Sequence, residues 1–167
     1  SKSPVPFAPE TLESIQRAFR LATDLRHDAV GLEHLLIAML DEKKARAVLA
    51  ACGVQLDVLK KDLMEVLARA FTPVPAPSSV EPEPTLGFDR VIQQAVVHAA
   101  VSSARQVDSG NLLAFIIQEQ ESHAAYFLRK QGVERLTLLR VISHGGARGP
   151  AGLPGETEAP APSRGPP

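Results

Sequence analysis

The sequence predicts an all-α fold, a pseudo-twofold tandem repeat of two four-helix units forming an eight-helix bundle, followed by a disordered C-terminal linker. Three observations carry this expectation. Residues 30 to 40, Val-Gly-Leu-Glu-His-Leu-Leu-Ile-Ala-Met-Leu, recur in altered form 77 positions later as Val-Asp-Ser-Gly-Asn-Leu-Leu-Ala-Phe-Ile-Ile, 107 to 117. The repeated apolar pairs, Leu35 and Leu36 against Leu112 and Leu113, Met39 and Leu40 against Ile116 and Ile117, keep a helical spacing, so each copy presents a buried stripe. All 14 prolines fall in 4 to 9, 73 to 84 or 150 to 167. A proline inside a helix costs about 3 kcal/mol or more, so the two proline-free blocks mark the helical units.

The repeat extends in both directions. Ile15, Ala18, Phe19 and Ala22 align with Ile92, Ala95, Val96 and Ala99; with the offset grown by two, Val48, Leu49, Gly53 and Val54 align with Phe127, Leu128, Gly132 and Val133. Each unit therefore runs to roughly 65 residues. Residues 1 to 8 read as a flexible arm, and Pro9 suits the first turn of a helix running to about Asp24. Arg26, His27 and Asp28 connect it to a second helix entered at Gly31, where the other copy has Asp108, a stronger N-cap. Residues 43 to 52 form a short third helix, which Gly53 ends in the left-handed conformation as Gly132 does in the second copy. A fourth helix over 55 to 71 places Leu56, Leu59, Leu63, Val66, Leu67 and Ala70 at three- and four-residue spacing. The first repeat is thus 9 to 71.

Residues 72 to 85 are a proline-rich connector, expected to be extended. The second repeat, 86 to 144, carries helices at 86 to 104, 109 to 119, 121 to 131 and 134 to 144. Neither copy has enough large apolar residues to close alone, so their contact should form one common core. Residues 145 to 167 are glycine- and proline-rich, a composition too poor in apolar side chains to order itself, and read as a flexible linker to a further domain.

With 167 residues, 44% hydrophobic content and net charge -1, the chain can bury a real core and carries no global charge that would draw it to nucleic acid or an anionic membrane. It has no run of about 18 apolar residues and no leader pattern, which points to a cytoplasmic protein. The lone Cys52 excludes an internal disulfide and a cysteine-cluster metal site, and reads as a small hydrophobe.

No phosphate-binding glycine loop, H-E-x-x-H or G-x-S-x-G is present. The densest cluster of polar chemistry is His27, Asp28, Glu33 and His34. Adjacent helical positions diverge by about 100°, so Glu33 and His34 do not share one metal readily. Glu33 suits the positive end of its own helix dipole, and His34 suits a helix start. Asp28 and Glu33, at or beside the start of one helix, also suit a surface met by a partner's lysine or histidine. In the second repeat Thr85 reads as an N-cap and Arg90 as a solvated helix residue.

The chain closely resembles the N-terminal (Clp N) domain of ClpA-type AAA+ unfoldases, which feed the ClpP peptidase. The resemblance covers about residues 7 to 146 and rests on Arg-His-Asp-Ala-Val-Gly-Leu-Glu-His-Leu-Leu (26 to 36), Pro-Thr-Leu-Gly-Phe-Asp-Arg-Val-Ile-Gln (84 to 93), Glu-Gln-Glu-Ser-His-Ala-Ala-Tyr-Phe-Leu-Arg-Lys (119 to 130) and Ile-Ser-His-Gly (142 to 145). It implies a non-catalytic domain that docks a ClpS-like adaptor and helps deliver substrate polypeptides, including those with N-terminal degradation signals. It also implies adaptor-binding roles for Asp28, Glu33, Thr85 and Arg90. Asp28 is shorter than the glutamate expected there, and Gly31 replaces the usual threonine. ATP and magnesium would belong to motor domains beyond Pro167, and ClpP would be reached only through the full-length unfoldase. No cofactor or metal is expected in the domain itself. The rival readings are a direct receptor for unfolded or tagged polypeptide, using an apolar groove between the copies, and, last, a metal-dependent enzyme built on His27 and its neighbouring acids.

Overall fold

The computed structural model describes residues 5–75 and 81–144. The outer parts of the expected arm (1–4), connector (76–80) and linker (145–167) lie outside the described residues. Among the described residues there are eight helices: α1 Pro9–Asp24, α2 Leu32–Met39, α3 Lys43–Ala51, α4 Leu56–Ala70, α5 Leu86–Val101, α6 Ser109–Ile116, α7 His123–Lys130 and α8 Arg135–His144. None is long and apolar enough to cross a membrane.

The apolar pairs that repeat in the sequence become the two central helices. Every residue of α2 is buried, and all of α6 except Phe115. Helix α2 packs on α1 and α4 of its own repeat and on α7 of the other; α6 packs on α5 and α8 and, across the repeat boundary, on α3. One hydrophobic cluster therefore runs through both units, with Leu35, Leu36, Met39, Leu112, Leu113 and Ile116 completely enclosed. Each such side chain contributes about 1.5–3 kcal/mol by leaving water.

Helix ends follow the repeat in finer detail than the apolar pattern does. Gly53 and Gly132 sit at φ 89° and 90°. Val54 then donates to the Leu49 carbonyl at 3.0 Å and Val133 to that of Leu128 at 3.0 Å, the closing bond of a Schellman motif. The same bond closes α1 and α5, from His27 to Ala22 at 2.8 Å and from Ala104 to Ala99 at 2.9 Å. There the left-handed residues are Arg26 (φ 62°) and Ser103 (φ 60°), neither of them glycine. Ser103 is why α5 stops at Val101 rather than continuing to 104 as its composition suggested.

Two short extended contacts bind the repeats crosswise. Strand β1, Ala29–Val30, lies between α1 and α2 and pairs in parallel with β2, Glu83–Pro84, just ahead of α5. Its counterpart is a bridge between Phe7, ahead of α1, and Val107, between α5 and α6. Ala8 donates to the Val107 carbonyl and Val107 to that of Pro6, both at 2.8 Å, while Thr85 donates to the Val30 carbonyl at 2.9 Å. The lead-in to each repeat's first helix thus pairs with the opposite repeat. The described part of the connector is held along the same edge, with Val74 donating to the Arg26 carbonyl at 2.7 Å.

Candidate functional site

At the start of α2, Gly31 is extended (φ -114°, ψ -175°) and has no side chain to cap the helix. His34 takes part of that role: its Nδ1 accepts from the Gly31 N–H at 3.0 Å. With Nδ1 accepting, the His34 proton is on Nε2, which donates to His27 Nδ1 at 2.9 Å. Phe71 covers the pair, stacked on His27 with ring centres 5.2 Å apart and edge-on to His34 at 4.8 Å. Desolvation, and then the neighbouring His27, hold the His34 pKa down at about 4. Desolvation also lowers His27, against an opposing pull from Asp28. Both imidazoles are therefore neutral near pH 7. In the second repeat the equivalent cap is a reciprocal box: Asp108 accepts from the Asn111 N–H at 3.0 Å and Asn111 from the Asp108 N–H at 2.9 Å.

Glu33 lies within the molecule rather than on open surface, with a side chain only 8% exposed. Its Oε2 accepts from the His123 backbone N–H at 2.9 Å, and His123 Nδ1 is 3.6 Å away. His123 is the first residue of α7, so the carboxylate of one repeat sits at the positive end of a helix of the other. Ser122 completes that helix start by accepting from Ala125 at 3.3 Å.

Thr85 caps α5, its Oγ1 accepting from the Phe88 N–H at 3.2 Å. One turn on, exposed Arg90 holds both carboxylate oxygens of Glu119 at 2.9 Å. Its pKa is raised first by that hydrogen bond and then by the charges of Glu119 and Glu121. Two glycines lie where these elements meet. A Cβ on Gly31 would lie 2.9 Å from Glu33 Oε1 and 3.6 Å from Thr85 Cγ2; one on Gly87 would lie 3.5 Å from Glu119 Oε1 and 3.7 Å from Leu32 Cδ1. The starts of α2, α5 and α7 thus converge, bringing together Glu33, Thr85 and Arg90 of the four candidate residues. Asp28 stands beside them at the entry to β1, exposed, its carbonyl accepting from Glu83 N–H at 3.1 Å. Glu119 and His123 belong to the same surface and were not singled out from sequence. Both lie inside the 119 to 130 motif, and only the fold shows what each faces.

The pseudo-equivalent junction at the starts of α1, α6 and α3 is closed by internal bonds. Glu42 is buried and accepts from Ser14 Oγ at 3.0 Å and Ser109 Oγ at 2.7 Å, while Lys44 pairs with Asp108 at 2.7 Å. The two junctions therefore differ in what holds the buried carboxylate: two serine hydroxyls bind Glu42 at one, and a backbone N–H of the other repeat binds Glu33 at the other.

Among the described residues no three His, Cys, Asp or Glu side chains converge as a metal would require. Burial pushes the Cys52 thiol up, away from the reactive thiolate. The His27–His34 pair is enclosed, with no nucleophile bonded to it. What the arrangement can do is present a rigid polar surface to another macromolecule.

Residues 7–131 match the Clp repeat (R) N-terminal domain family. A ClpA homolog protein of Fuscovulum blasticum is 41% identical over 149 residues, 88% of this chain; the chain spans only 19% of that relative's length. The fold is similar to the Hsp104 N-terminal domain of Candida albicans (TM-score 0.71, 14% identity, 84% of this chain and 92% of that one). It is also similar to the ClpV N-domain of Vibrio cholerae (TM-score 0.67, 18% identity, 86% and 92%) and to a ClpV N-domain solved in complex with a VipB peptide (TM-score 0.64, 17% identity, 86% and 94%).

Proposed function

Because the chain belongs to the Clp repeat N-terminal domain family, we propose that it is the adaptor-docking and substrate-delivery domain of a ClpA-type ATP-dependent unfoldase, binding a ClpS-like adaptor that carries N-degron and other substrates. The domain is a protein-interaction module rather than a catalyst. ATP, magnesium and the ClpP peptidase belong to the parent protein in this reading. The observation that carries it is the convergence of α2, α5 and α7 at a surface bordered by Asp28, Thr85 and the Arg90–Glu119 pair, within a chain 41% identical to a ClpA homolog. Glu33 contributes by fixing α7 beneath that surface. Residues 145–167 serve as the tether to the motor, and holding cargo near the pore raises its effective concentration there.

The test is calorimetric titration of this chain with a ClpS-type adaptor, alongside an Asp28→Lys, Arg90→Ala variant. Both positions are exposed, so helicity should be kept while binding falls roughly a hundredfold. A folded wild-type chain that does not bind the adaptor would overturn the reading.

A second reading, direct capture of a polypeptide, is favoured by the similarity to a ClpV N-domain solved with a VipB peptide. It requires apolar peptides to bind this chain with no adaptor present, measurable by fluorescence anisotropy.

A further inference from the structure

The duplication supplies an internal control for a cleft in the second repeat. The turn after α6 and the turn between α7 and α8 form a cleft of about 800 Å³, open to solvent and within the size range of ligand sites. Its buried lining residues are Ile117 and Val133, and its exposed ones include Arg129, Arg135, Gln118 and Gln120. Arg129 is held there, since its Nη1 donates to the Ile117 carbonyl at 3.3 Å. That bond uses one of five guanidinium N–H donors and leaves the others available. In the first repeat the positions equivalent to Arg129, Arg135 and Gln118 are Ala50, Leu56 and Asp41. There the carbonyl of Leu40, the counterpart of Ile117, receives its bond from Arg46 at 3.1 Å. Capping therefore accounts for one arginine in each copy, and Arg135 has no such task among the described residues.

Neither Arg129 nor Arg135 is in an ion pair among the described residues. Glu134 is the one carboxylate that lines the cleft. It directly precedes α8, where the positive end of the helix suits it. Two guanidiniums against one carboxylate leave an excess of positive charge. The guanidinium fork matches a carboxylate through two parallel hydrogen bonds. The side-chain amides of Gln118 and Gln120 can each donate and accept, as the backbone of a passing peptide requires. A small inorganic anion would meet the arginines and leave Ile117 and Val133 uncovered.

We propose that this cleft is a polypeptide-binding site for an acidic segment, in which a glutamate or aspartate side chain of the ligand is held by Arg129 and Arg135 and a neighbouring aliphatic side chain rests on Ile117 and Val133. It is separate from the surface at the starts of α2, α5 and α7. Arg129 is near the other end of α7, six residues on from His123 and about 9 Å along the helix at 1.5 Å per residue.

Fluorescence anisotropy with two labelled, end-blocked peptides tests the assignment, one alternating leucine and glutamate, the other leucine and glutamine. They are equal in length and leucine content, so the carboxylates are what differ. The wild-type chain should bind the glutamate peptide roughly fivefold or more tightly than the glutamine peptide, and added salt should shrink that preference. Arg135→Leu puts at an exposed helix position the residue type that the first repeat carries, so helicity should be kept while the preference is lost. Arg140→Leu removes the same charge from the same helix at an exposed position that does not line the cleft, and should leave the preference intact. Equal wild-type affinity for the two peptides, or no binding of either, overturns the proposal. A preference that survives Arg135→Leu, or that Arg140→Leu removes equally, overturns it as well. No adaptor takes part, so failure here leaves the docking reading standing.

Discussion

The carboxylate of Glu33 accepts from the backbone N–H of His123 at 2.9 Å across 90 residues of sequence. It joins the start of a helix in one repeat to the start of a helix in the other, and it lies beneath the proposed docking surface. Glu33→Ala leaves the first N–H of α7 without a carboxylate acceptor and should cost about 1–3 kcal/mol of unfolding free energy. Glu33→Gln, which keeps an acceptor but not the charge, should cost less than half as much. Urea denaturation of the three proteins gives the ranking, and an alanine variant as stable as the wild type would deny the carboxylate this role.

Gly31→Ala acts on the same bond from the other side. The backbone at 31 is open to any L residue, but the added Cβ would lie 2.9 Å from Glu33 Oε1. The expected loss is about 1–2 kcal/mol in the wild type and close to zero in a Glu33→Ala background. A double-mutant cycle by chemical denaturation measures the coupling. Equal losses in both backgrounds would mean that the glutamate is not what the methyl group meets.

The buried imidazoles set a pH dependence of definite sign. His34 falls from an ordinary 6.5 to about 4 in the folded chain, so the unfolded chain takes up a proton first as pH drops. The stability contributed by the neutral pair is fully present above pH 6.5 and is lost as pH falls toward 4. At 1.36 kcal/mol per unit the loss is on the order of 3 kcal/mol. Proton NMR should show the His34 ring unchanged down to about pH 5, and a His34 titration near 6.5 in the folded protein would contradict the enclosed pair.

Removing residues 1–7 should loosen the second repeat rather than only the first. The Val107 N–H donates to the Pro6 carbonyl at 2.8 Å, so its hydrogen exchange should accelerate by roughly tenfold or more in the truncated chain. Acceleration confined to α1 would show that the crosswise pairing contributes nothing.

The helical architecture was legible because its signals are local. The Leu35–Leu36 and Leu112–Leu113 pairs announce buried helices, and Gly53 and Gly132 announce helix ends, since each acts within a turn or two of its own position. The crosswise strands were not legible. Ala29–Val30 and Glu83–Pro84 are dipeptides with no period to detect, and their pairing partners are set by the fold. Arg26 and Ser103 adopt left-handed conformations that their residue types do not advertise.

The site was legible in part for the same reason. Thr85 precedes its helix in sequence, so its capping role could be read from the chain. Glu33 also stands in a first helical turn, yet the N–H it accepts from belongs to a helix start 90 residues distant. The Arg90–Glu119 pair likewise spans 29 residues, and no spacing rule joins them.

The exchange of lead-in strands gives the two repeats the geometry of a closed symmetric pair. Each repeat offers the same two unsatisfied edges, one ahead of its first helix and one between its first and second, and each edge is complementary to the other. Two units of this design meet through both edges at once, as an isologous dimer would, with no edge left to recruit a third. In the present chain the twofold relation survives in the strands but not in the carboxylates beside them, Glu42 being held by serine hydroxyls and Glu33 by a backbone N–H.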